Sequence, residues 1–243
     1  MAKRKFKNEK FNDQVPKINK KFEAVTNVAT STTEIIVYGD IGDSWWGDSI
    51  SASDIDRALK DVKTDNITVR INSPGGNAFD GITIYNRLKD HSAKVKVIVD
   101  GWACSAASII AMSADELVMN TGSMLMIHQA SIGIYGNKDE LEKEAELLGK
   151  LDSNLVDIYM TKALVDRKEI EQMVKNETWF TAEEAIAIGF ATSVEDAHEG
   201  TTNQDAEAFK NSVLARFKKE PQQPAASATT NNILANFKRN SNE

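Results

Sequence analysis

The feature that most constrains the fold is a repeated alternation of strand-like and helix-like segments in the middle of the sequence. Such alternation predicts a largely parallel sheet with helices packed on its faces. Ile55, Ala58, Leu59 and Val62 show the i, i+3, i+4, i+7 spacing that buries one side of a helix against such a sheet. The predicted strands are Glu34–Tyr38, Ile67–Asn72, Val95–Asp100, Glu116–Asn120 and Met124–His128, and the predicted helices are Ser53–Val62, Phe79–Asp90 and Ser105–Met112.

A candidate nucleophile stands at one of the strand-to-helix junctions. Ser105 follows the apolar strand pattern that ends at Asp100 and opens a helix of small residues. At such a junction the hydroxyl is held away from the sheet, beside an unpaired amide and the positive end of a helix dipole, which suits acyl transfer. The residues also have a structural interpretation, because small side chains let a helix pack closely on a sheet.

The chain has only three histidines, so a serine that needs a general base has few candidates. His128 ends the apolar run Met124–Ile127 and opens on a glycine-containing loop, a usual place for catalytic side chains. His91 ends a helical pattern and His198 lies beyond the last strong apolar segment, so both are interpreted as surface residues. A half-buried, hydrogen-bonded imidazole is the structural alternative for His128.

The segment Ile71–Gly76 combines the end of a strand with a Ser-Pro-Gly-Gly turn. Proline fixes the turn, and two glycines let backbone amides approach a ligand without obstruction by a Cβ atom. The Gly76 N–H is therefore a candidate donor to an oxyanion. An ordinary tight strand-to-helix connection is the alternative.

Taken together, the segments from about Thr33 to Asp196 resemble the ClpP-like serine peptidases, the proteolytic subunits of Clp proteases. The resemblance implies a ClpP/crotonase-like α/β spiral of strand–helix units. It also implies Ser105 as nucleophile, His128 as general base, and the amides of Gly76 and Ala106 as the oxyanion hole. An acid about fifty residues beyond the histidine is expected to orient the base, and Glu177 occupies that position.

Two features depart from the family pattern. Glu177 stands where the family usually has an aspartate, and its longer stem changes where the backbone must lie; a surface or helix-cap role is its alternative. Asp152 or Asp157 could take its place only if the following long helix folds back over His128. Ser108 is a second serine near the helix start, where its side chain is expected to bond backward or pack.

The branch of the family is indicated by Trp45 and Trp46 together with the run 177–185. These features resemble the ClpP-related head-maturation proteases of tailed phages and prophages, whereas housekeeping ClpP lacks the tryptophan pair. Packing of a turn or a subunit seam explains the two tryptophans equally well. The implied function is ATP-independent cleavage of phage capsid or scaffold proteins by a ring-forming homo-oligomer, of one ring or two stacked rings, in the cytoplasm of the bacterial host.

Composition agrees with one catalytic domain between two tails. The predicted boundaries are 1–30 for a basic, flexible extension, 31–197 for the peptidase domain and 198–243 for a polar, flexible tail. The lone Cys104 fits a reducing compartment. No apolar run reaches the roughly 18 residues that a membrane span needs, so no membrane partner is expected. The basic head could contact nucleic acid or an acidic partner, but its composition favours a solvated extension, so nucleic acid is not expected either.

Two further segments carry interaction hypotheses. Lys138–Lys162 has apolar residues at helical spacing over a length that one small core rarely covers, so part of this helix is expected to meet another subunit; in the resembled family it is the handle helix. Packing wholly within the monomer is the alternative.

In the C-terminal tail, the motif Leu-Ala-x-Phe-Lys-[Lys/Arg] occurs twice, at 214–219 and at 234–239. These two short segments either dock on a capsid or scaffold partner or are trimmed during maturation, and chance similarity is the alternative.

The sequence thus predicts a serine endopeptidase that needs no metal or nucleotide cofactor in this subunit. Three alternatives stay open: a housekeeping-type ClpP that works with an ATP-driven unfoldase, a non-proteolytic capsid-assembly factor on the same fold, and an acyl-CoA binder of the crotonase kind. The acyl-CoA binder has the least support, since crotonases do not require the matched Ser-His-acid order.

Overall fold

A computed structural model describes residues 18–42, 49–195, 211, 212, 214 and 215. The strands are β1 (Lys21–Asn27), β2 (Thr32–Tyr38), β3 (Asp40–Ile41), β4 (Ser49–Ile50), β5 (Asn66–Ser73), β6 (Lys94–Cys104), β7 (Glu116–Asn120), β8 (Met124–Ile127), β9 (Thr178–Phe180) and β10 (Ser193–Glu195). The helices are α1 (Ala52–Lys60), α2 (Ala78–Lys89), α3 (Ala106–Ala111), α4 (Lys138–Met160), α5 (Arg167–Lys175) and α6 (Ala182–Ala187).

The main sheet has the strand order β1-β2-β5-β6-β7-β10, and β8 and β9 extend it where β8 pairs with β6. All of its pairs are parallel except β1–β2 and β8–β9. Helices connect the parallel strands, as the alternating pattern requires. The predicted α/β spiral of strand–helix units is confirmed.

Side-chain alternation places the core on one side of the strands. Along β5, Ile67, Val69 and Ile71 are buried while the residues between them are partly exposed. Helix α1 buries Ile55 and Leu59 of the predicted apolar face against this core. The predicted strand and helix boundaries agree with the structure to within one or two residues for most elements, because apolar periodicity reports burial directly.

Two strands differ from the prediction. Strand β1 lies within residues 1–30, which the sequence analysis assigned to a flexible extension; its side chains are mostly exposed, so it has no apolar alternation to reveal it. Strand β6 continues to Cys104 instead of ending at Asp100. Gly101 interrupts the apolar pattern of β6, but the strand continues because its last residues find a new partner in β8.

Helix α4 agrees with the predicted Lys138–Lys162 segment. Its buried residues all lie in the C-terminal half, whereas Leu141 and Leu147 in the N-terminal half are exposed. The N-terminal half of α4 therefore presents apolar side chains that the described part of the chain does not cover. Contact of this half with another subunit stays a prediction.

Several predicted features fall outside the described residues: Trp45, Trp46, His198, the basic residues up to Lys17, and most of the repeated tail segments. Among the helices that the structure describes, none is long and apolar enough to cross a membrane.

A polar network ties four neighbouring strands together at Asp100 of β6. Tyr38 of β2 donates its hydroxyl to Asp100 over 2.6 Å, and Asn120 of β7 donates over 2.8 Å. Arg70 of β5 forms a bidentate ion pair with the same carboxylate, in which 2.9 Å separates its Nε from Asp100 Oδ2. The hydrogen bond to Asp100 raises the pKa of the Arg70 guanidinium. One carboxylate thus accepts hydrogen bonds from three side chains on three other strands.

Replacing Asp100 with alanine is expected to destabilise the fold by about 2 kcal/mol, because the Arg70 charge and two polar groups lose their partner in a partly buried site. The measurement is the free energy of unfolding in urea. Glu116→Ala is the matched control, since it breaks the more exposed Lys96–Glu116 pair between β6 and β7 and should cost less than about 1 kcal/mol. Equal losses in the two variants would contradict the prediction.

Candidate active site

Ser105 lies at the end of β6 in a backbone conformation that serine rarely adopts. Its φ of 56° and ψ of −124° put it outside the usual regions, at a cost of about 1–3 kcal/mol. Its N–H donates to the Met126 carbonyl over 2.9 Å, which fixes the residue against β8. The conformation ends the strand and starts α3 at the next residue, so the Ser105 side chain stands at the junction that the sequence predicted.

The Ser105 hydroxyl and His128 form a hydrogen-bonded pair, with 2.8 Å between Oγ and Nε2. His128 directly follows β8, which runs parallel to the end of β6 with Met126 opposite Cys104. Because the carboxyl ends of parallel strands meet at one edge of a sheet, the serine and the histidine are delivered to the same place. His91 has a different role, since its Nδ1 accepts from the Ala93 N–H over 3.0 Å.

Glu177 approaches the same edge from the antiparallel strand β9. In the β8–β9 register Ile127 is opposite Thr178, so the next opposed pair along the two chains is His128 and Glu177. Directly opposed residues have their Cβ atoms about 5 Å apart. Glu177 has a positive φ of 52°, which turns the backbone just before β9. The register thus puts the predicted acid at the position opposite the histidine.

The two alternative acids bind elsewhere. Asp152 accepts hydrogen bonds from the Ala130 N–H at 2.7 Å and from Gln129 at 2.9 Å, so it anchors the loop that follows His128. Asp157 pairs with Arg167 on α5. Of the three acids that sequence analysis named, only Glu177 occupies a register position opposite the histidine.

The Ser-Pro-Gly-Gly turn packs directly on the nucleophile. Gly75 has a φ of +87°, and a Cβ atom there would overlap the Cys104 carbonyl oxygen and lie 2.7 Å from Ser105 Cβ. The Ser73 hydroxyl accepts from the Gly75 N–H over 3.0 Å and closes the turn. Glycine is required at position 75 both by its backbone conformation and by this approach.

Two backbone amides beside the serine are available to a ligand. Within the described residues, the N–H groups of Gly76 and Ala106 donate to no backbone or side-chain acceptor. Both residues line one cleft together with Ser105 and His128. Ala106 is the first residue of α3, where N–H groups have no partner within the helix. The arrangement can bind an oxygen that carries negative charge.

The cleft has a volume of about 280 Å³ and a mainly apolar wall. Helix α4 supplies the largest share of that wall, and α3 adds Ala106 and Ile109. The larger apolar and aromatic side chains from these two helices are Ile109, Leu147, Leu148, Leu151, Leu155 and Tyr159. A cleft of this kind, next to a hydrogen-bonded serine, can accept an apolar side chain of a peptide.

Two other nucleophilic side chains close to Ser105 are inert by burial. Cys104 is fully buried, and burial followed by the charge of Glu177 raises the pKa of its thiol, so the thiolate does not form at neutral pH. Ser108 is also fully buried and donates its hydroxyl to the Ser105 carbonyl, as sequence analysis expected. Of the three neighbouring side chains Cys104, Ser105 and Ser108, Ser105 is the one that lines the cleft.

Comparison with known proteins identifies the family of the chain. The family model of the Clp protease matches residues 18–198. The chain belongs to the Clp protease family. This match confirms the predicted family.

Similar proteins in this family carry the name ATP-dependent Clp protease proteolytic subunit. The subunit from Deinococcus radiodurans is 33% identical over 54% of this chain and 65% of its own length. Subunit 1 from Protochlamydia amoebophila is 32% identical over 63% of this chain and 78% of its own length. The chain thus spans just under two thirds of the Deinococcus relative.

A solved structure agrees with the fold. A ClpP1 point mutant from Listeria monocytogenes superposes with a TM-score of 0.58 at 22% identity, covering 73% of this chain and 95% of the other. The identity is low, so this likeness concerns the arrangement of strands and helices alone.

Gly75→Ala is expected to destabilise this Clp family member by at least about 3 kcal/mol, since the added methyl group meets the backbone of Cys104 as well as a strained φ. Urea unfolding measures the loss. Gly122→Ala is the matched control, because Gly122 has a φ of +80° but nothing within 4 Å of the added atom. That variant should lose only the conformational cost of about 1–2 kcal/mol. A Gly75→Ala loss no larger than the control's would show that the turn does not press on Ser105.

Proposed function

We propose that the chain is a serine endopeptidase in which Ser105 attacks the scissile carbonyl and His128 is the general base. The observation that carries this proposal is the 2.8 Å hydrogen bond between Ser105 Oγ and His128 Nε2, at the mouth of a largely apolar cleft. A hydroxyl held by a neutral imidazole is the arrangement that activates serine for acyl transfer.

The proposed reaction has two halves. His128 accepts the Ser105 proton as Oγ bonds to the carbonyl carbon, and the oxyanion that forms accepts hydrogen bonds from the Gly76 and Ala106 amides. The tetrahedral intermediate then collapses, the peptide C–N bond breaks, and His128 returns the proton to the leaving amine. In the second half His128 takes a proton from water, the hydroxide attacks the acyl-enzyme, and the Ser105 hydroxyl is regenerated as the acid product leaves.

Glu177 has the role of orienting the base. A carboxylate beside the second ring nitrogen of His128 holds the tautomer whose Nε2 is free to accept the serine proton, and it stabilises the imidazolium that forms. The cross-strand register supports this role.

A fluorophosphonate probe tests the proposed chemistry on the purified oligomer. Mass spectrometry should find a single adduct on Ser105, and His128→Ala should abolish it because the hydroxyl loses its base. Glu177→Gln should slow peptide hydrolysis by about 10²–10⁴-fold, since an amide cannot stabilise the imidazolium. Asp152→Asn is the matched control, and it should keep most of the activity because Asp152 contacts the loop and not the histidine.

Three results would overturn this assignment. An adduct on Ser108 would contradict the position of the nucleophile. No adduct in any oligomeric preparation would favour a non-proteolytic assembly factor. A larger loss in Asp152→Asn than in Glu177→Gln would reverse the roles of the two acids.

We further propose that the peptidase acts as a ring-forming homo-oligomer on phage capsid or scaffold proteins in the cytoplasm of the bacterial host, without an ATP-driven partner. The tryptophan pair at 45–46 and the run 177–185 support this branch, through their resemblance to head-maturation proteases. The exposed Leu141 and Leu147 of α4 support contact between subunits. The main alternative is a ClpP subunit that needs an unfoldase; the relatives' names, which call them ATP-dependent, favour that alternative.

Incubation without ATP separates these two functions. The proposal expects the purified oligomer to cleave a phage capsid or scaffold protein at defined sites, with Ser105→Ala as the inactive control. Cleavage should be unchanged by adding ATP and a bacterial Clp unfoldase. The alternative function would be identified if the head proteins stayed intact and if a folded test protein were degraded only when the unfoldase was present.

A further inference from the structure

Two buried hydroxyl groups that the proposed mechanism does not use lie directly behind the nucleophile. Ser108 Oγ is 2.6 Å from the Ser105 carbonyl oxygen and 2.8 Å from the hydroxyl oxygen of Tyr159. Ser108 is fully buried, and Tyr159 on α4 is 1% exposed. The hydroxyls therefore connect the helix that lines the cleft to the backbone of Ser105.

The direction of donation through these groups is fixed by the number of protons. A serine hydroxyl has one proton, and Ser108 donates it to the Ser105 carbonyl. Tyr159 must then be the donor to Ser108 Oγ. Burial raises the pKa of Tyr159, so its hydroxyl keeps the proton at neutral pH. Donation runs from Tyr159 to Ser108 and from Ser108 to the Ser105 carbonyl.

The Ser105 carbonyl is also coupled to the proposed oxyanion hole. It shares one planar trans peptide with the Ala106 N–H, so the two groups point in opposite directions and rotate together. The N–H groups of Ser108 and Ile109 donate to the same carbonyl at 2.9 and 3.2 Å, and the Ser108 hydroxyl is the nearest of the three donors. Whatever holds this carbonyl also sets where the Ala106 N–H points.

We propose that Tyr159 is a positioning residue for the oxyanion hole and acts through Ser108 on the Ser105–Ala106 peptide. The inference rests on the proposed function, because it assigns a purpose to an amide that matters only if an oxyanion forms there. An oxyanion donor is effective only when it is aligned in advance with the position of the developing charge. Tyr159 supplies that alignment from α4, whose Leu151 and Leu155 line the same cleft.

The experiment compares variants of the full-length oligomer that remove single hydroxyls. Tyr159→Phe removes the outer donor, Ser108→Ala removes both hydrogen bonds, and the double variant tests whether they act in series. Tyr85→Phe is the matched control, because Tyr85 is also buried, at 8% exposure, but lies on α2 and does not line the cleft. Urea unfolding of each variant establishes that it is folded.

Four quantities are measured with one peptide sequence: kcat and KM for a fluorogenic substrate, the Kd of the corresponding peptide aldehyde, and the Kd of the corresponding peptide alcohol. The aldehyde adds the Ser105 hydroxyl to form a hemiacetal whose oxygen occupies the oxyanion hole. The alcohol forms no such bond and reports binding in the cleft alone. If Tyr159 had a purely structural role, its replacement would change the Kd of the aldehyde and the Kd of the alcohol by the same factor.

The proposal expects Tyr159→Phe to lower kcat about tenfold, less than the loss of a whole oxyanion donor, with KM changed by less than about twofold. Aldehyde binding should weaken by a similar factor, while alcohol binding stays unchanged. Ser108→Ala should show at least the same effects, and adding Tyr159→Phe to it should change nothing further. Tyr85→Phe should match the wild type in all four quantities.

Other outcomes would overturn the inference in distinguishable ways. Wild-type kcat and aldehyde affinity in Tyr159→Phe would show that Ser105 and Ala106 are positioned without it. If Tyr159→Phe weakened aldehyde binding and alcohol binding by the same factor, Tyr159 would contribute only to the wall of the cleft. If the losses in kcat of the two single variants added in the double variant, the two hydroxyls would act separately. If the wild-type protein fails to hydrolyse the peptide and to bind the aldehyde, the proposed function fails and this inference falls with it.

Discussion

The candidate site depends on a change of partner along strand β6. On one edge, residues 94–99 and Ala103 of β6 pair with β5. On the other edge, residues 96–99 pair with β7, but the last residues, Trp102–Cys104, pair with β8. This change brings the end of β8 beside the end of β6, and the bond from the Ser105 N–H to the Met126 carbonyl continues the pairing by one step. Without β8 in this position, His128 would not reach the Ser105 hydroxyl, and β9 would have no strand on which to place Glu177.

Backbone strain is concentrated where the proposed chemistry takes place. Among the described residues, the non-glycine residues with a positive φ are Ser31, Ser105 and Glu177, and two of these belong to the candidate site. Such conformations persist only where the surroundings hold them. At Ser105 the surroundings are β8 on the amide side and three donors on the carbonyl side, including the Ser108 hydroxyl. The sheet and the buried helix α3 thus hold Ser105 in a backbone conformation that serine rarely adopts.

Much of the fold was predictable because it follows from local apolar periodicity, which records which side of an element is buried. The limits of strand β7 and of helix α4 were predicted closely for this reason. Strand β1 was not predicted, because an exposed edge strand needs no apolar alternation. The end of β6 was not predicted either, because Gly101 interrupts the apolar pattern and the residues after it pair with β8, a strand that is distant in the sequence. The close fit of Gly75 against Ser105 was not predicted, because turn chemistry alone does not identify what a glycine faces.

By itself, the sequence determined the order of the elements, the residue types of the candidate site and their place at strand ends, because each of these depends on neighbours along the chain. The family resemblance indicated Glu177 as the acid but left Asp152 and Asp157 open, and only the tertiary structure distinguishes them, since the β8–β9 register puts Glu177 opposite His128. It also decided that Asp152 anchors a loop and that Ser108 meets Tyr159, residues 51 positions apart. Contacts of this range arise only when packing brings separate elements together, and no local pattern in the sequence encodes them.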